Sequence, residues 1–187
     1  MPTYLSLSFQ LAVAGVLLVS AVAKTRSTAN QETWQVLLGQ LGQLGRRVSP
    51  RAASHAHVAA EFVVGAALLL GPLARVPALT AAAVMLGSFT LLAAYSALSG
   101  RAIRCPCFGR SSTPLGWPHA VRNLVLTAMA ALALAGDTPD VWPSPGEAVL
   151  AAASAMVAVL LSVFLDDILD LLRTPVRPDP GRAPRPL

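Results

Sequence analysis

Read as a string of apolar and polar positions, the chain is a series of long apolar blocks separated by short charged stretches. Three windows, 1–23, 76–100 and 148–165, contain no Asp, Glu, Lys, Arg or His. A bilayer crossing takes about 20 helical residues, so the first two suffice and the third is marginal. Two further segments are apolar with polar intrusions: 58–74 holds Glu61, and 120–136 holds Arg122 and Asn123. The apolar residues fall in blocks rather than at a period of 2 or 3.6, so they do not mark one face of an amphipathic element. The pattern predicts five transmembrane helices, near 4–23, 57–74, 77–98, 119–136 and 147–166. The fold class is an all-α, polytopic membrane bundle. The last two helices are the weaker predictions, because Ala-rich runs insert less readily than Leu-rich ones.

Composition agrees with this reading. Hydrophobic residues make up 55% of the chain and charged residues only 12%, against about 25% charge in a soluble domain. The "AVA" at 21–23 has the small-x-small form of a signal-peptidase site. A signal peptide carries positive charge before its apolar core, whereas here Lys24 and Arg26 follow it. The segment is therefore expected to stay as a helix.

The basic residues fix an expected orientation. Loop 24–56 holds Lys24, Arg26, Arg46, Arg47 and Arg51, and region 99–122 holds Arg101, Arg104, Arg110 and Arg122. The tail holds Arg173, Arg177, Arg182 and Arg185, while a turn expected at 75–76 holds Arg75 alone. With the N-terminus outside, 13 of the 14 basic residues are cytoplasmic, as the positive-inside rule requires. Anionic head groups are the expected neighbours of these loops, and no nucleic-acid partner is needed to explain the pI near 10.2. Within loop 24–56, Trp34, Leu37, Leu38, Leu41, Leu44 and Val48 recur at helical spacing. Thr28 with Gln31 as a cap and "SP" at 49–50 as a stop suggest an interfacial helix. Residues 173–187, Pro- and Arg-rich with little to bury, are expected to be disordered.

This orientation gathers polar groups at one end of the bundle. Lys24 closes helix 1 there, Glu61 sits about one turn into helix 2, and Arg122 and Asn123 open helix 4. Ionisable groups at membrane depth are costly and pair inside the bundle. Glu61 with Arg122, or with Lys24, is the natural pair. Lys24 and Arg122 also read as end charges that snorkel, but a lone carboxylate has no such topogenic use. His55, His57 and His119 lie at helix mouths and read as ordinary interfacial residues.

The two cysteines stand in "RCPCFGR" at 104–110. Pro106 fixes its own φ and pushes Cys105 toward extended backbone. A disulfide across so small a ring departs from relaxed geometry, which raises its reduction potential. Arg104 and Arg110 favour the thiolate. Phe108 can anchor the loop and Gly109 lets it reverse. One reading is a redox dithiol formed by Cys105 and Cys107. A second is a zinc site with His119 and His55 or His57, although single-residue spacing departs from usual zinc knuckles. A third is that the thiols are small apolar fillers. No metal or cofactor is expected on balance, and a lasting structural disulfide does not suit a reducing compartment.

The order "SAVAK", "EFVVGAALLLG", "SFTLLAAYSALSGRAIRCPCFG" and "RNLVL" resembles the MauE family of methylamine-utilisation membrane proteins, relatives of the DoxX-like four-helix proteins. Lys24, Glu61, Cys105, Cys107, Phe108, Gly109, Arg122 and Asn123 are the residues that carry the likeness, over about residues 4–136. The resemblance implies a DoxX-like four-helix core at 4–136, to which this chain adds a fifth transmembrane helix within 137–172 and the tail at 173–187. It implies a role in maturation, export or disulfide formation of the disulfide-rich small subunit of methylamine dehydrogenase. That subunit or a thioredoxin-like protein would be the redox partner. Two alternatives from other classes remain, a non-catalytic membrane scaffold and a small transporter. The transporter lacks the inverted repeats or paired broken helices such folds use.

Overall fold

The computed structural model describes residues 3–26, 49–100, 115–136 and 143–172. All regular structure among them is helical: α1 (Thr3–Arg26), α2 (Pro50–Ala67), α3 (Pro72–Ser99), α4 (Trp117–Ala135), α5 (Pro145–Val163) and the short α6 (Leu165–Leu172). The expected interfacial helix, the Cys-Pro-Cys loop and the tail lie outside the described residues.

The first four helices close a ring. α1 packs on α2 and α4, and α3 packs on α2 and most extensively on α4, while α5 lies against α1 from outside. α1 is thus the central element. Its Val13, Ala14, Val16 and Leu17 form one core with Leu79, Ala82 and Leu86 of α3 and Leu126 and Ala130 of α4. Close approach depends on small residues, as helix association in lipid generally does. A Cβ on Gly65 of α2 would come within 2.9 Å of Leu18 Cγ and 3.3 Å of the Ala14 carbonyl. One on Gly15 would come within 2.7 Å of Val159 Cγ2 on α5.

Local signals set the helix limits. Ser49 caps α2, accepting from the Ala52 amide at 3.2 Å, and Pro50 takes the first turn, where a missing N–H costs nothing. The turn to α3 spans Leu68–Gly71 and relies on Gly71 at φ 104°, again with a proline to follow. Gly100 ends α3 in the left-handed region at φ 64°.

Four helices are long and apolar enough to cross a membrane: α1, α3, α4 and α5. They carry bulky side chains on their outer surfaces, among them Leu73, Leu91, Leu98, Val149 and Val157, all exposed. Such a surface belongs in lipid. α2, expected as the second of five spans at 57–74, instead covers Pro50–Ala67; it packs in the ring against α1 and α3 but is not among those four by length and composition. Arg51, His55, His57 and Glu61 punctuate its first three turns. The expected turn at 75–76 is also corrected, since Arg75 lies inside α3. Hydropathy placed both boundaries too late, because the reversal is made by Gly71–Pro72 and not by the charge.

Candidate functional site

Successive helices run in opposite directions, so α1 ends at the same end of the bundle where α2 and α4 begin. There Lys24 and Glu61 meet. Lys24 Nζ lies 2.6 Å from Glu61 Oε1, and both side chains are 2% exposed. Ser20, one turn before Lys24 on α1, donates its hydroxyl to the same oxygen at 3.2 Å. His57, one turn before Glu61 on α2, places Nε2 3.3 Å from it. Phe89 of α3 closes the cluster, edge-on to the His57 ring and 5.5 Å beneath the ammonium of Lys24. Oε1 therefore carries every contact, and Oε2 has no hydrogen-bond partner among the described residues.

Of the two partners the sequence left open for Glu61, the structure uses Lys24. Glu61 also lies deeper in its helix than expected. It follows the start of α2 by eleven residues, about 16 Å of helix rise, so the first turns of α2 stand beyond the end of α1. His57 is half-buried against the carboxylate rather than simply interfacial, while His55 remains exposed, with Nδ1 2.9 Å from the Arg51 carbonyl.

Arg122 forms a separate contact region on α4. Its Nη1 donates to the Ser162 carbonyl of α5 at 3.3 Å, and the Asp166 carboxylate of α6 is the charge that acts on it. His119, one turn earlier, is buried and places Nε2 3.3 Å from Asp166 Oδ1. Its Nδ1 accepts from the Gly116 amide at 3.4 Å, so Nε2 carries the proton that Asp166 receives. Asn123 is buried beside Arg122. Cys105, Cys107, Phe108 and Gly109 lie outside the described residues, but both flanks of their segment stand at this end. Gly100 ends α3 here, and Ser96 donates to the Leu115 carbonyl at 2.9 Å just before α4.

The opposite end holds a cluster that sequence reasoning missed. Arg75, 5% exposed, donates through Nη2 to Ser6 Oγ at 2.7 Å and to the Ala133 carbonyl, and through Nε to Gln10 Oε1 at 3.2 Å. Gln10 passes the connection on to the Leu68 carbonyl at 2.6 Å. One guanidinium thus joins α1, α3 and the end of α4, and reaches the α2–α3 turn through Gln10. The missed residues share a readable signal. Ser6 and Gln10, Ser20 and Lys24, and His57 and Glu61 are each four residues apart on one helix, so each pair shares one helix face.

The geometry defines a polytopic helical membrane protein with a buried polar cluster at each end of its bundle and an apolar core between them. The family described as "Methylamine utilisation protein MauE" matches residues 2–136, and the chain belongs to that family. It is similar to the methylamine utilization protein MauE of Paracoccus denitrificans, at 40% identity over 111 residues. That match covers 56% of this chain and 59% of the relative, so it spans less than two thirds of the relative's own length. No solved structure matches the chain. α5 and α6 lie beyond the part of the chain that the family matches.

Proposed function

We propose that this protein is a membrane accessory factor in methylamine utilisation, acting in the maturation, export or disulfide formation of a dehydrogenase subunit. It would sit in the cytoplasmic membrane with its N-terminus outside and its tail inside. Cys105 and Cys107 would exchange with a partner dithiol, from the exported subunit or a thioredoxin-like protein. A partner thiolate attacks the Cys105–Cys107 disulfide and forms a mixed disulfide. The partner's second thiol resolves it, so the partner gives up two electrons and two protons and leaves as a disulfide, and Cys105 and Cys107 are left as a dithiol. Glu61 would take or return a proton in this exchange.

The observation that carries this reading is the placement of Lys24, Glu61 and His57 at the end of the bundle from which segment 101–114 departs and to which it returns. Opposite charges buried at the end of the bundle where Gly100 and Leu115 stand are a costly arrangement, and the unengaged Oε2 of Glu61 leaves one acceptor for a proton. Alkylation trapping in intact cells and inverted vesicles, comparing wild type with Cys105→Ser and Cys107→Ser, tests it. The expected result is an oxidised fraction in wild type and loss of function in both variants. Full function in both would leave the scaffold reading, which the Arg75 clamp favours because it fastens three helices and engages only neutral acceptors.

A further inference from the structure

The groups that touch the Lys24–Glu61 pair differ in their access to water. The Lys24 and Glu61 side chains are each 2% exposed, and Ser20, which donates to the same carboxylate oxygen, is buried as well. Phe89 of α3 covers the ammonium. His57 is the exception, because its side chain is 22% exposed while its Nε2 lies 3.3 Å from Glu61 Oε1. It precedes Glu61 by one turn of α2, toward the end of the bundle. One oxygen thus meets the buried ammonium at 2.6 Å and the half-buried imidazole at 3.3 Å. Among the described residues, Lys24 and His57 are the charges that act on Glu61. His57 in turn is faced by Glu61 on its own helix, by Lys24 of α1 at the shared oxygen, and by Phe89 of α3. The face of α3 that carries Phe89 continues with Ala93 and Ser96, neither of which titrates.

We propose that His57 carries protons between the buried Lys24–Glu61 pair and water. The relay deepens the reading in which Glu61 takes or returns a proton, and it rests on that reading only for the use to which the proton is put. On the way out, the Lys24 ammonium gives its proton to Oε1, which leaves an amine and a carboxylic acid. The acid passes the proton from Oε1 to Nε2 of a neutral His57, which leaves a carboxylate and an imidazolium. The imidazolium gives a proton to water and is neutral again, and entry reverses each step. Every transfer inside the protein joins groups that the structure holds in contact. No other neighbour can replace His57, since the Ser20 hydroxyl is buried and Phe89 has no proton to exchange. An imidazole suits the task because histidine changes charge near neutral pH and so both accepts and releases. A histidine that only propped the carboxylate would need a hydrogen-bonding group there and no titration.

Lys24 is the single lysine of the chain, so lysine labelled at Nζ with the heavy nitrogen isotope gives one ammonium signal. The full chain in lipid nanodiscs is followed by NMR for exchange of that ammonium with water across about pH 5–8, the range in which histidines titrate. The rate should rise as the imidazole loses its proton and then level off, because neutral His57 is the acceptor. Exchange by hydroxide reaching the ammonium directly rises in proportion to hydroxide and does not level. His57→Gln keeps a hydrogen-bonding side chain that cannot take the proton. It should slow exchange about a hundredfold, the low end for a positioned general base, and remove the levelling. His55→Gln should change neither, since that ring is exposed and turned to the Arg51 carbonyl. A wild-type rate proportional to hydroxide throughout overturns the proposal, and this result needs no variant to fold. So does a folded His57→Gln protein that keeps the wild-type rate and profile. A levelled profile that His57→Gln abolishes supports the relay whether or not Cys105 and Cys107 prove redox-active, so failure of the thiol reading and failure of the relay are told apart.

Discussion

At one end of the bundle α1 presents Ser20 and Lys24 to Glu61 of α2; at the other it presents Ser6 and Gln10 to Arg75 of α3. Both clusters are buried, and both use side chains one turn apart on the same helix. They differ in what answers the cation. Lys24 faces a carboxylate, so each charge is tolerable only because of the other. Arg75 faces a hydroxyl, an amide oxygen and the carbonyls that end α4, where the helix dipole is negative. The first arrangement stores an electrostatic dependence between two helices. The second is a clamp made of neutral acceptors. A bundle that needed only fastening had the cheaper device available, and the ion pair at the other end calls for a further reason.

The largest expected effect breaks the ion pair. Glu61→Ala strands the Lys24 ammonium and should lower stability by about 3–5 kcal/mol, measured by unfolding of the detergent-solubilised protein. Lys24→Met combined with Glu61→Leu should cost far less, because no charge is left unpaired. Additive effects in that cycle would remove the dependence.

Next comes the clamp. Arg75→Met leaves buried acceptors without a donor and should lower stability by about 1–3 kcal/mol. A loss as large as that of Glu61→Ala would erase the distinction between the ends. Gly65→Ala probes the packing that lets α1 and α2 meet at all. Its Cβ would press on Leu18 and on the backbone of Ala14, so about 1 kcal/mol is expected, in the lower part of the overpacking range. The smallest effect belongs to Ser20→Ala. Lys24 still holds Oε1 without the hydroxyl, and a loss of about 0.5 kcal/mol is expected.

The fold was largely legible because lipid solvation writes itself as uninterrupted apolar runs. The helix at α2 was the exception, since polar residues in its first three turns dilute the run and the Ser49–Pro50 start is a capping signal that hydropathy does not weigh. Lys24 and Glu61 stood out as charges inside apolar segments. Arg75 did not, because a single arginine at an expected turn reads as a surface charge until the chain reversal is placed at Gly71–Pro72. Asp166 was hidden for a related reason. It follows the apolar run of α5, and only the bend at Phe164 turns it back onto His119 of α4.

The central claim is that the charged end serves the thiols while the clamped end only holds the bundle. It is tested most directly by trapping the redox state of Cys105 and Cys107 in cells that carry either of two variants. One is Lys24→Met with Glu61→Leu, and the other is Arg75→Lys, each first shown to be folded and inserted. The account predicts that the first variant is held in a single redox state while Arg75→Lys retains the wild-type mixture of dithiol and disulfide. An unchanged mixture in the uncharged Lys24–Glu61 variant would contradict it.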